Sequence, residues 1–137
     1  MAQLDTTIPT DWRSRLQDFQ YSCEASGPSE QSRRIREASF IFVDALRALR
    51  MPLPPLQSRA RLEEMLAAGA YESAALGLLR REAGLLLSRA ANGTCFATVS
   101  VPGRTGDRSA VGDTIALAML GAEASALLAL AICEPHI

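Results

Sequence analysis

The residues best suited to chemistry are few. His136 is the only histidine, and it sits beside Cys133 and Glu134. A zinc ion would want four ligands held in a fixed cage. These three crowd a segment that follows the last helical pattern, so no metal site and no cofactor is expected. An acid–base histidine acts largely by being positioned. A tail does not position one, which speaks against Ser-His-Asp and Cys-His hydrolysis. Among the carboxylates, Glu63 and Glu64 are adjacent and project differently from a helix. Glu37 and Asp44 share a helical face but lie among arginines, the pattern of a solvated charged surface. No catalytic residue is assigned.

The stretch GRTGDRSAVG, residues 103–112, follows a strand pattern and precedes a helix pattern. Strand, glycine-rich loop and helix N-terminus are the ingredients of phosphate binding. The spacing disagrees: five residues separate Gly106 from Gly112 where a nucleotide loop needs four. Asp113 occupies the lysine position, and its carboxylate would repel a phosphate. Asp113 reads better as a helix cap, with Thr114 as the other choice. Arg104, Asp107, Arg108 and Asp113 remain the candidate set if the protein is a small-molecule or anion binder, or an enzyme.

All fourteen basic residues are arginine, against fifteen acidic ones, for a formal net charge of −1. Codon bias in a GC-rich genome accounts for the missing lysine. Arg33, Arg34 and Arg36, with Arg47 and Arg50, form the one cluster that could serve a nucleic-acid-associated regulator. Glu30, Glu37 and Asp44 interrupt it, and phosphate binding favours an unbroken positive footprint. No specific complex with duplex DNA is expected. Three cysteines, odd in number and without a CxxC pair, argue against a disulfide framework and for a reducing cytoplasm. Met1 to Pro9 has neither the basic start nor the apolar core of a secretory signal.

Hydrophobic spacing supplies the elements. Thr10 is expected to cap a helix from Asp11, with Trp12, Leu16, Phe19 and Cys23 on one stripe. SGPS (26–29) breaks it, and Pro28 opens a second helix with Ile35, Ala38, Phe42, Leu46 and Leu49 inward. The two form an antiparallel pair over 10–50, expected as a lobe or arm. MPLPP must end the second helix; 51–57 is a stiff connector. Ser58 caps a third helix with Leu62, Met65 and Leu66 inward, and Gly69 stops it. A short fourth helix carries Leu76 and Leu79. The period then changes to that of a hairpin. Residues 84–89 and TCFATVSVP flank an Asn92-Gly93 turn. Cys95, Ala97, Val99 and Val101 face the core, and Pro102 ends the strand.

The last helix, to about Cys133, is apolar all round except for Glu123. Its nineteen residues from Ile115 approach a membrane span. Glu123 would then sit near mid-bilayer, and no basic cluster or aromatic belt flanks the run. A membrane is therefore not expected as a partner. A helix so uniformly apolar asks for cover on every side. A two-stranded sheet supplies little of it, so self-association, as a homodimer, or docking on another protein is expected, the alternative being cover by the N-terminal helices of the same chain. Leu117, Leu120, Glu123 and Leu127 are the candidate interface, with Glu123 at an exposed strip or paired to an arginine across the contact.

One segment resembles a known module. LLLSRAANGTCFATVSVPG and SAVGDTIALAMLGAEASALL, within residues 85–130, are similar to a hairpin–helix unit of small uncharacterised proteins from alphaproteobacteria and their prophages. The unit is also similar to the phage ABA-sandwich domain. The matching residues are Ala97, Thr98, Val99, Pro102, Gly103, Gly112, Thr114, Ala116, Leu117, Ala118 and Leu120. Ile115 stands where the module often has proline, and Phe96 where tryptophan is common. The resemblance covers a third of the chain and implies a hairpin packed on a helix, with no catalytic residue. The expectation is one α+β domain over 1–137: a helical N-terminal portion, one antiparallel β-hairpin and a long C-terminal helix packed on it. Its expected role is protein interaction without catalysis.

Overall fold

The computed structural model describes residues 3–101, 103 and 106–132, with side chains from Asp11 onward. Five helices and three strands follow in the order α1 (Gln3–Ala25), α2 (Gln31–Ala48), α3 (Arg59–Ala67), α4 (Tyr71–Gly77), β1 (Leu85–Arg89), β2 (Cys95–Val99), β3 (Arg108–Gly112) and α5 (Ile115–Ile132). The class is α+β, with α5 packed on an antiparallel sheet of order β1-β2-β3.

The helical stripes lie where the period puts them. Trp12, Leu16, Phe19 and Cys23 are buried on α1, and Ile35, Ala38, Phe42 and Leu46 on α2. Phe19 and Phe42 meet edge to face, their centroids 5.7 Å apart. These residues belong to the same core as the sheet and α5. The helical pair is therefore neither an arm nor a lobe: α1 packs on α5 and β3 as well as on α2. Nor does α1 begin with a cap at Thr10, because the helix is already under way from Gln3.

Helix ends follow local chemistry. Gly27 N–H donates to Glu30 Oε1 ahead of α2. Ser58 Oγ accepts from Arg61 N–H and starts α3. Gly69, at φ 73°, ends α3, with Ala70 N–H donating to Met65 O. The end of α2 uses the same six-residue loop-back, Met51 N–H to Leu46 O, with Arg50 in the left-handed position at φ 57°. Pro52 stops the helix, but an L side chain is strained at that φ. Arg50→Gly is expected to raise stability by roughly 0.5–1 kcal/mol after the added unfolded-state entropy of glycine is subtracted. A higher denaturant midpoint with unchanged slope is the measurement.

The connector lies against the core through Met51, Leu53 and Leu56. Leu56 N–H donates to Gly77 O, tying it to the end of α4. On α4 the inward residues are Ala74 and Ala75, followed by Leu78 and Leu79. Leu76 points out.

The hairpin differs in its turn and in its company. Gly93 alone takes a positive φ, 94°. Asn92 contributes through its side chain, whose Oδ1 accepts from Thr94 N–H. The stretch expected as a glycine-rich loop over 103–112 supplies a third strand, Arg108–Gly112, instead. Ser109 stands opposite Thr98 with their hydroxyls 2.8 Å apart, and Gly112 opposite Cys95. Cys95, Ala97, Val99 and Val101 are buried on the α5 side, as their alternation requires.

At the centre, α5 touches α1, α2, α4 and all three strands. Small residues let these layers close. A Cβ on Gly112 would lie 2.8 Å from the Ala118 backbone nitrogen, and one on Gly121 would lie 3.2 Å from Ala110 Cβ. Cover for α5 thus comes from within the chain. The segment Ile115–Ile132 is long and apolar enough to cross a membrane, yet 72% of it is buried inside the fold, consistent with a soluble protein.

Candidate interaction surface

The expected interface on α5 is not accessible. Leu117, Leu120, Glu123 and Leu127 are all 0% exposed. Glu123 neither lies on an open strip nor reaches across a contact, because its partner is Arg80 of the same chain. Glu123 Oε2 accepts from the Arg80 backbone N–H and from Nε, each at 3.0 Å, and Oε1 accepts from Nη2 at 3.1 Å. Arg80 Nη2 also donates to Ser100 O at 2.7 Å. Burial pushes the Glu123 carboxyl pKa up, while the Arg80 hydrogen bonds and charge act against that shift.

The glycine-rich loop does not assemble a site. Asp107 and Arg108 stand at the start of β3 and Asp113 just past its end, all exposed. The strand between holds Arg108 and Asp113 roughly 15 Å apart. Arg104 lies outside the described residues. Thr114, not Asp113, caps α5, its Oγ1 accepting from Leu117 N–H at 3.2 Å. Asp113 borders an open depression of about 550 Å³ whose rim mixes Glu72 and Arg89 with it. No buried polar side chain among the described residues is left without a partner there.

Three arginines of the cluster are neutralised by nearby carboxylates. Arg34 bonds Glu37 at 2.6 Å and Ser26 Oγ at 2.8 Å, and lies 3.8 Å from Glu30. Arg33 approaches Glu37 at 4.0 Å. Arg36 grips Glu63 with Nε and Nη2 at 2.8 and 2.9 Å, joining α2 to α3. That grip holds the exposed Glu63 carboxyl below its ordinary range. Glu64 lies 3.4 Å from Arg61, and Asp44 lies 3.9 Å from Arg15. Arg33, Arg34 and Arg36 are each matched by a carboxylate, whereas Arg47 and Arg50 enter no ion pair among the described residues.

Cys133, Glu134 and His136 fall outside the described residues. Among those described, no three potential ligands converge. Cys23 is buried, and burial pushes its thiol up to about 12, far from a reactive thiolate.

Among the described residues, the outer edge of β1 is left without a partner strand. The two hydrogen bonds flanking the β1–β2 register run from Ser100 N–H to Gly84 O and from Ala90 N–H to Thr94 O. In an antiparallel pair alternate residues turn their backbone groups to opposite sides. Leu86 and Ser88 therefore bond to β2, while Leu85, Leu87 and Arg89 direct N–H and C=O outward. Side chains on both faces are exposed here: Leu86 71% on the outer face, beside Phe96 at 38%, and Leu87 41% on the α5 side. α1 packs against β3, but α5 barely reaches β1. Sheet edges are commonly guarded by lysine, proline, a bulge or an inward charge. β1 has none of these before Arg89.

The apolar run of residues 84–89 marks this strand in the sequence but not its exposure. Three successive leucines look like core, and the third strand covers the far side of β2, leaving β1 at the edge. The signal available was Arg89, a charge that closes an otherwise apolar run. No family model, no curated protein and no solved structure matches the chain.

Proposed function

We propose that the protein is a non-catalytic interaction module that takes up an extended strand of another polypeptide along β1. The observation that carries this is the open row of backbone groups at Leu85, Leu87 and Arg89 flanked by two exposed leucines. Main-chain hydrogen bonds supply affinity in strand addition, and alternate side chains supply selectivity. Burial of the Cys23 and Cys95 thiols, both free, accords with a cytoplasmic setting. Likeness to the prophage-associated hairpin–helix unit contributes the framework and no site residue.

A peptide titration tests the reading. Short peptides alternating leucine with serine are added to dilute protein, and amide shifts are followed by NMR. Leu85, Leu87 and Arg89 are expected to move most. Proline at the peptide's central hydrogen-bonding position should abolish the effect. Shifts confined to other surfaces, or none with any strand-forming peptide, would overturn the proposal.

A further inference from the structure

We infer that the strand β1 accepts is β1 of a second copy, paired antiparallel about a two-fold axis through Leu87. This inference rests on the strand-addition reading and names its partner.

The register follows from which backbone groups are open. A two-fold axis normal to the sheet makes one residue its own opposite. With the axis at Leu87, Leu85 faces the partner's Arg89, Leu87 faces the partner's Leu87, and Arg89 faces the partner's Leu85. All three open residues are then hydrogen-bonded pairs within Leu85–Arg89. An axis at Leu86 or Ser88 leaves one open residue of each strand facing chain beyond the partner's strand. An axis at Leu85 or Arg89 leaves two. Ala83 cannot extend the ladder as a strand residue, because its N–H is spent on Arg80 O.

Side chains agree with this register. Leu87 meets the partner's Leu87 directly on the α5 side. On the outer face Leu86 sits opposite the partner's Ser88 and diagonal to the partner's Leu86, within reach of contact. Both leucines exposed on β1 are covered in one step. Charge selects the same arrangement. The two Arg89 guanidiniums go to opposite ends of the pairing, each beside a leucine. An axis at Arg89 would set them face to face, and one at Leu85 would set Arg89 against the partner's Arg81. The product is a continuous six-stranded sheet with the α5 layers on one side. An edge of five residues is a small interface, so association is concentration-dependent.

Sedimentation velocity over a wide concentration range gives the first reading, with the mass expected to double from 14.7 kDa. Leu87→Arg and Leu87→Glu should each remain monomeric where the native chain is dimeric. Their equimolar mixture should recover the dimer, since unlike charges then face each other on the axis. Leu87→Cys should cross-link to its own copy under mild oxidation, whereas Ser88→Cys, which faces the partner's Leu86, should not. Should the charged variants misfold, the cysteine pair decides. A native chain monomeric throughout, with peptides still shifting Leu85, Leu87 and Arg89, overturns the second copy and leaves strand addition standing. With no peptide response either, both fall. A dimer that survives Leu87→Arg, with no cross-link through Leu87→Cys, places the contact elsewhere and overturns the inference.

Discussion

Arg80→Met is expected to cost about 3–5 kcal/mol of folding stability. Among the described residues, every hydrogen bond that the Glu123 carboxylate receives comes from Arg80, and both side chains are buried. Methionine leaves only the backbone N–H donor. The carboxylate is then an unpaired charge in the core, and Ser100 O loses its side-chain donor as well. The deficit should depend on pH in a defined sense. In the variant, burial raises the folded-state pKa of Glu123 with no cation to oppose it. The group then binds a proton more tightly folded than unfolded. Its contribution is fully present below the ordinary carboxylate value of 4.5 and is lost as pH rises through the folded value. The variant should therefore lie closest to the native protein in acid and furthest from it at neutral pH. Arg80→Met combined with Glu123→Leu removes both charges. The double variant should recover most of the loss, since buried pairs replaced by apolar residues are often neutral or better. Urea unfolding of all three proteins at two pH values measures this; additive losses in the double variant would refute it.

Gly112→Ala is expected to destabilise by about 1–3 kcal/mol, although alanine is the smallest side chain that could be added. Its Cβ would lie 2.8 Å from Ala118 N and 3.1 Å from both the Leu117 carbonyl carbon and Leu117 Cβ. Those are backbone and near-backbone atoms of the central helix, which cannot swing aside as a side-chain tip can. Relief requires β3 and α5 to separate, loosening the contact that buries Ala97 and Val99. Gly27→Ala serves as a control, since nothing lies within 4 Å of its added Cβ. Thermal unfolding should show a lowered midpoint for Gly112→Ala and little change for the control. Equal midpoints would mean that the helix–strand approach is looser than described.

What could be read from the sequence was what local periodicity encodes. The stripes of α1 and α2 and the alternation along β2 each repeat within a few residues, and their burial follows. β3 escaped because RSAVG has little strand character of its own. Its place depends on the Thr98–Ser109 pairing and on glycine admitting α5, neither of which is visible locally. α5 shows the converse difficulty. An all-apolar helix has no preferred face, so its pattern cannot say whether another chain or this one surrounds it. Glu123 looked like a break in that surface, yet its partner lies 43 residues earlier, in a sequence context suggesting only a solvated arginine. The left-handed Arg50 was equally hidden, because the prolines after it explain the helix end without it.

The central position of α5 also sets an order of events during synthesis. α5 is the last of the described elements to leave the ribosome, and α1, α2, α4 and the sheet all pack on it. Until it emerges, the apolar stripes of α1 and α2 can cover each other but not the surface destined for α5. Arg80 waits without its carboxylate throughout that interval. Folding is thus expected to wait for the emergence of α5 and to be paced by long-range contacts. The nascent chain exposes its greasiest surfaces in the interval before α5 docks, when a holding chaperone would have most to protect.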